Sequence, residues 1–298
     1  MGNGNFFDVL IEIKGEQADL NTFAQQHFVH RIFSLNSIIK MPESLDFEMN
    51  NFVEDGYDAL FGNWRKLTGR WMFKEAAKEL GYPFPLVSQE QVIKCIKTLG
   101  DEGDKRIFYG ELFKSNIDQF GYGHAFEWRK KNWGIECDAS DVVIDSSSSI
   151  INLIFSLCGP PPKKILTLIS KSHSSLNFTI SYVDETGRRC KKMFIKNGKN
   201  TEDEVSSVDE LKHLIWNTRK VLVLNWLNKV LGKKTTEENI ELSESGRVFI
   251  NGTKISVDFL IRRVALGDSI ESLLLRFSEL TPLHMSVLNT LVEESYNA

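Results

Sequence analysis

The chain has 298 residues, 42% hydrophobic and 26% charged, with a formal net charge of −4, a balance typical of a globular protein of about two domains. That charge offers no general attraction to nucleic acid or anionic membrane, and no run approaches the ~18 apolar residues of a membrane span. Cys95, Cys137, Cys158 and Cys190 lie far apart without a C-x-x-C pair, so reduced cytosolic thiols are expected rather than a zinc site or a disulfide framework.

The first residues, MGNGNFFDVLIEIKG, lack the basic-then-apolar pattern of a secretory leader, and residues 6–14 alternate as a strand. Residues 18–28 have helical spacing in Leu20, Phe23, Ala24 and His27. His27 and His30 stand three apart, but no third ligand accompanies them at a recognised spacing, and no metal site is expected. From about 47 to 123 the pattern is largely helical. Trp64, Leu67, Trp71, Ala76 and Leu80 predict one stripe ended by Gly81 and YPFP, and Ser88 with Gln91 caps a second helix carrying Val92, Ile93, Ile96 and Leu99 up to Gly100. Gly121-Tyr122-Gly123-His124 lacks the G-K-[ST] end of a phosphate loop.

Asn132-Trp133-Gly134 sets a large ring beside a residue tolerant of positive φ, which suits the approach to a strand. Asp145 with the serines after it reads as a capped turn, and Pro160 to Pro162 as a rigid lead into a helix. Leu176, Phe178, Ile180 and Tyr182 alternate as the apolar face of an antiparallel sheet covered on one side by helices. Residues 208–231 predict a helical arm about 35 Å long with an apolar stripe of Leu211, Leu214, Ile215, Leu222, Trp226 and Val230. Lys233 to Glu238 reads as a hydrophilic linker.

After it, Val248, Phe249 and Ile250 precede Asn251-Gly252, a hairpin turn signal, with a return strand at 254–257. Three short helices follow. Asp258 is expected to cap the first and Gly267 to end it, Asp268 with Glu271 to start the second, and Thr281-Pro282 to open the third.

Two resemblances attach to these residues. FSLNSIIKMPE (33–43) and NWGIECDA (132–139), set between the first strand and helix and the proline-led helix and strand, resemble the YubB-like proteins of plasmids and phages over roughly 6–200. Cys137 departs from that pattern, where an aromatic residue is common. The resemblance implies a ferredoxin-like domain in a mobile-element protein and supplies no catalytic residue. The run GRVFINGTKISVDFLIRRVALGDSIESLLLRFSELTP resembles the helix-turn-helix domain of bacterial antitoxins, which implies DNA binding. The charges argue against that step: residues 247–298 hold five cations and six anions, and the third helix has no Lys or Arg through Glu294.

The expected architecture is therefore α+β: a ferredoxin-like antiparallel sheet core over 1–204 with a helical insertion, an arm helix and linker over 205–238, and a small helix-turn-helix-like domain over 239–298. Between Pro42 and Asn63 the charged residues are Glu43, Asp46, Glu48, Glu54, Asp55 and Asp58, all acidic; such a surface competes with nucleic acid for a basic groove and is the candidate partner-binding site. Glu202, Asp203, Glu204, Asp209 and Glu210 form a second acidic run. Leu211, Ile215, Leu222 and Trp226 are the candidate seam of a homo-oligomer, because an apolar stripe this long must be covered either by the chain's own core or by another copy.

With neither a G-x-S-x-G elbow nor an H-E-x-x-H helix, no catalytic residue, metal or cofactor is expected. The leading function is a cytoplasmic phage or plasmid accessory protein that inhibits a host nuclease-based defence complex. This role resembles that of the phage inhibitors of the Gabija system, although no motif carries that step. The alternatives are a DNA-binding, antitoxin-like regulator and an enzyme of unrecognised type.

Overall fold

The computed structural model describes residues 6–29, 32–146, 149–204, 207–232, 236, 238–265 and 268–297. It divides into two compact units, Met1–Lys40 with Trp133–Ala298, and Met41–Asn132. In chain order the elements are β1 (Phe7–Lys14), α1 (Gln17–His27), a small hairpin of β2 (Phe28–Val29) and β3 (Ile32–Phe33), and helices α2 (Asn51–Leu60), α3 (Lys74–Glu79), α4 (Gln89–Lys97), α5 (Asp101–Phe120) and α6 (Ala125–Asn132). Then come β4 (Ser140–Ser146), β5 (Ile150–Leu157), α7 (Lys163–Ser172), β6 (Asn177–Asp184), β7 (Cys190–Lys196), β8 (Lys199–Glu204) and α8 (Val208–Leu231). The chain ends with β9 (Ile240–Leu242), β10 (Val248–Ile250) and three helices, Val257–Ala265, Ile270–Arg276 and Pro282–Asn297.

Six strands form one antiparallel sheet in the order β4-β5-β1-β6-β7-β8. The apolar strand β1 lies inside it, with Ile11 opposite Leu153 on one side and Ile180 on the other. Alternation sends Val9, Ile11 and Ile13 to one face and Asp8, Leu10 and Glu12 to the other. Phe23 of α1 packs edge to ring against His173, the residue that ends α7, and in a tilted contact against Phe178, on the first face. The second face is covered too, contrary to expectation. Leu10, Ile154 and Val183 cluster with Ile215 of α8, so β1 and its neighbours are apolar on both sides.

Helix α8 has the bounds the sequence predicts. Ser207 and Glu210 form a reciprocal capping box at its start, and Gly232 at φ 78° ends it. Its buried row is Leu211, Ile215, Arg219, Val223 and Leu227, spaced four apart. Twenty-four residues span about 36 Å, enough to cross the sheet and continue beyond it. The first half packs on the sheet, while Val223 and Leu227 join Ile240, Ile250, Leu260, Leu273, Leu288 and Leu291 in the terminal core. The helix is thus no free arm, and the terminal module shares one core with it. Of the linker expected after it, Lys233, Lys234, Thr235 and Glu237 lie outside the described residues, and Thr236 is buried with its hydroxyl donating to Gly232 O.

In the terminal module Asn251-Gly252 makes its turn, with Gly252 at φ 74°. The return segment contributes only a bridge between Phe249 and Ser256, because Val257 already begins a helix; the partner of β10 is β9. Ser256 accepts from the first helix (Phe259 N, 3.2 Å), and Asp258 lies inside that helix's first turn instead of before it. Ser269, not Asp268, caps the second, since the Asp268 carboxylate pairs with Arg263. Thr281 caps the third as expected, its hydroxyl accepting from His284 N. Gly267 lies outside the described residues.

The insertion unit has its own core of Leu67, Phe73, Ala76, Ala77, Leu86, Val92, Cys95 and Ile96. Helices α2 and α5 cross at Gly56 and Gly110, where a Cβ on Gly110 would stand 2.7 Å from Tyr57 N. The stripe expected across Trp64 to Leu80 is broken: two short turns, Trp64–Leu67 and Trp71–Phe73, flank Gly69 before α3, and Trp71 is 85% exposed. The helix capped by Ser88 forms as predicted, with Val92 and Ile96 buried.

Candidate functional site

A buried polar site in the larger unit arises from residues that interrupt apolar patterns. Asp8 sits in β1 and Arg219 midway along the buried row of α8, at 4% and 1% side-chain exposure. Arg219 Nη1 donates to Asp8 Oδ1 at 2.8 Å, and Ser156 Oγ donates to the same oxygen at 2.8 Å. Trp216 Nε1 donates to Asp8 Oδ2 at 2.9 Å, and Arg247 Nη2 reaches Asp8 Oδ1 at 3.3 Å. Burial alone would raise the Asp8 pKa, but the two guanidiniums and the hydrogen bonds from Arg219 and Ser156 outweigh it and hold the carboxyl below its ordinary value.

Asp141 completes the group. Pairing between β4 and β5 is irregular from Ser140 to Val143, and there Asp141 adopts φ 50° with its carboxylate 3.4 Å from Arg247 Nε. Burial, then repulsion from Asp258, raises its pKa against the pull of Arg247 and Arg219. A cavity of about 380 Å³ opens beside it, lined by Asp141, Asp145, Leu222, Trp226, Arg247 and Asp258 among others. Its charges largely answer one another: Arg219 is paired with Asp8, and Arg247 with Asp8, Asp141 and, at 3.8 Å, Glu185. The group is a charged joint between sheet, α8 and the segment leading into β10. The sequence carries a signal for it that periodicity alone passes over, one cation in an apolar i, i+4 row and one anion in an apolar strand.

A second polar pair lies on the opposite sheet face. His27 Nε2 and His173 Nε2 are 3.0 Å apart, and His27 Nδ1 is 3.0 Å from Ser37 Oγ. Ser37 Oγ donates to Ser34 O at 2.8 Å, so His27 donates from Nδ1 and accepts at Nε2 from a neutral His173. Burial, and then the repulsion that a protonated His173 exerts, push the His27 pKa down to about 4; burial also lowers His173, against the pull of Asp19. His30 lies outside the described residues, and no group of three or more metal-ligating side chains occurs among those described.

The predicted acidic residues separate. Glu43, Asp46, Glu48 and Glu54 are exposed, although Asp46 accepts from Arg129 at 2.9 Å. Asp55 does not belong to a surface patch: at 2% exposure it pairs with Arg70 (3.1 Å) and lies 3.6 Å from Arg106. Asp58 is mostly covered, pairing with Lys66 and accepting from Asn63 N. In the second acidic run, the β7–β8 register sets Glu204 opposite Lys192, and Glu210 is used in the α8 cap. Leu211 and Ile215, at 2% and 0% exposure, are covered by the chain's own clusters and are not available to an oligomer seam, whereas Leu222 and Trp226 pack against those clusters with part of their surface exposed.

Other singled-out motifs serve the fold. Gly121 is the left-handed end of α5, and a Cβ on Gly123 would clash with Phe113. Trp133 is buried and donates to Ile39 O at 2.9 Å, with Gly134 beside it at φ 87°. Cys137 and Cys158 form a disulfide, with Cα atoms 6.0 Å apart, which corrects the expectation of four reduced thiols; Cys95 and Cys190 take no part in a disulfide. Among the described residues no helix is long and apolar enough to cross a membrane.

No protein family matches the sequence, and no curated protein matches it. Among solved structures, the crystal structure of a protein api92 from Yersinia pseudotuberculosis, of family-model DUF1281, aligns with 68% of this chain and 98% of its own, at 10% identity and a TM-score of 0.35.

Proposed function

We propose that this chain is a phage or plasmid accessory protein that binds a host protein in the cytoplasm and inhibits a nuclease-based defence complex. The observation that carries the reading is the run of exposed carboxylates Glu43, Asp46, Glu48 and Glu54 on an insertion with its own core. A partner-specific surface of this kind varies without rebuilding the sheet, and its charge matches the basic groove of a DNA-handling protein.

The YubB-like resemblance and a ferredoxin-like core are part of the proposal. They are supported by the β-α-β-β-α-β succession of β1, α1, β4, β5, α7 and β6 and by the spatial order β6-β1-β5-β4. The terminal helices are read as a helix-turn-helix-like docking module rather than a groove reader, because the third has no Lys or Arg.

Phage plating on bacteria carrying a panel of nuclease-based defence systems tests the function. Expression of the full chain is expected to restore plaques against at least one system. Reversing Glu43, Glu48 and Glu54 to Lys together is expected to abolish the rescue while the protein accumulates normally. No rescue across the panel, or rescue indifferent to charge reversal, would overturn the reading.

A further inference from the structure

We infer that the insertion carries a second docking surface, centred on Trp71, that takes a net-acidic protein segment bearing large apolar side chains. Trp71 is 85% exposed and Val87 66%, with Phe84 at 40% and Leu80 at 37%. The segment after α3 returns towards the Trp71 turn, which sets Leu86 and its neighbour Val87 beside Thr68. Tyr82 N donates to Ala77 O at 2.8 Å near the helix end, and Leu86 N donates to Thr68 O at 2.9 Å just before the Trp71 turn. The inward side chains Phe73, Ala76, Ala77 and Leu86 share one core, which leaves the four apolar groups outside it. An exposed tryptophan beside other apolar groups on a rigid support has the makings of an interface anchor.

Charge selects the occupant. Residues 64–79 hold Arg65, Lys66, Arg70, Lys74 and Lys78 against Glu75 and Glu79, in a chain whose net charge is −4. Lys74 and Lys78 belong to α3, which begins directly after the Trp71 turn, and both are exposed. Lys66 and Arg70 each bind a carboxylate of α2 yet remain 62% and 44% exposed, leaving donors for a second acceptor. Aliphatic Val87 and Leu80 offer no stacking platform for bases, which favours protein over single-stranded nucleic acid. The inference is independent of the acidic-surface function: it concerns Trp71, and its test leaves Glu43, Glu48 and Glu54 unchanged.

Displayed random peptides selected on the immobilised full chain, with Trp71→Ala as counter-selection, test it. The recovered peptides are expected to carry net negative charge and large apolar residues. Their binding should fall about tenfold with Trp71→Ala or with Lys74→Glu and Lys78→Glu together, and should weaken with added salt. Trp71 is too exposed for its truncation to unfold the unit, and an unchanged circular dichroism spectrum confirms this for each variant. Recovery of no Trp71-dependent peptide, or of basic ones, would overturn the inference. So would Trp71-dependent binding of single-stranded oligothymidylate, or self-association by light scattering that Trp71→Ala abolishes.

Discussion

Asp8 and Arg219 are each costly to bury alone, and together they bind the sheet to the long helix. Replacing Asp8 with Ala leaves the Arg219 guanidinium buried without its carboxylate, and a loss of about 3–5 kcal/mol is expected in urea denaturation. A loss under about 1 kcal/mol would show that water or rearrangement satisfies Arg219. The His27–His173 pair makes a pH prediction. In the folded protein His27 titrates near 4, below its ordinary value of 6.5, so between those values the unfolded chain binds the extra proton. Its contribution to stability is complete above about pH 6.5 and is lost progressively as pH falls towards 4, to a total on the order of 3 kcal/mol. His27→Gln should remove that part of the pH slope in urea midpoints measured across the window. An identical slope in the variant would assign the dependence to other groups.

At the level of elements, the crossing of α2 and α5 depends on missing side chains. A Cβ on Gly110 meets Gly56 and the Tyr57 amide, and backbone on both sides leaves it nowhere to move. Gly110→Ala is expected to cost about 3 kcal/mol, at the upper end of overpacking effects, and to appear as a lowered melting temperature and lost amide protection in α2 and α5. An unchanged melting temperature would mean that the helices separate without penalty. This crossing was hard to read in the sequence because α5 buries Gly103, Arg106, Gly110 and Asn116, a set with no apolar period. Where the caps are local the sequence was informative, as at Ser88 and at Thr281. It misled at Trp64 to Leu80, where helical spacing is present but Gly69 breaks the helix and Trp71 turns outward.

At the level of the molecule, the terminal helices and α8 are one folding unit, since Val223 and Leu227 supply part of the terminal core. A fragment beginning near Glu238 lacks those side chains, so the DNA question belongs to the full chain. Full-length protein is expected to show no salt-sensitive affinity for duplex DNA in fluorescence anisotropy; micromolar binding that falls steeply with added salt would restore the regulator reading. Sequence by itself determined what local chemistry dictates: the strand at Phe7–Lys14, the bounds of α8, the Asn251-Gly252 turn and the run of carboxylates before Asn63. Only tertiary structure decided which of those carboxylates reach solvent, that Cys137 meets Cys158, that His27 meets His173, and that Leu211 and Ile215 of the α8 stripe are covered by its own chain. The physical reason is range: caps, turns and alternation act within a few residues, whereas these pairings join positions brought together only when the sheet and the two cores assemble.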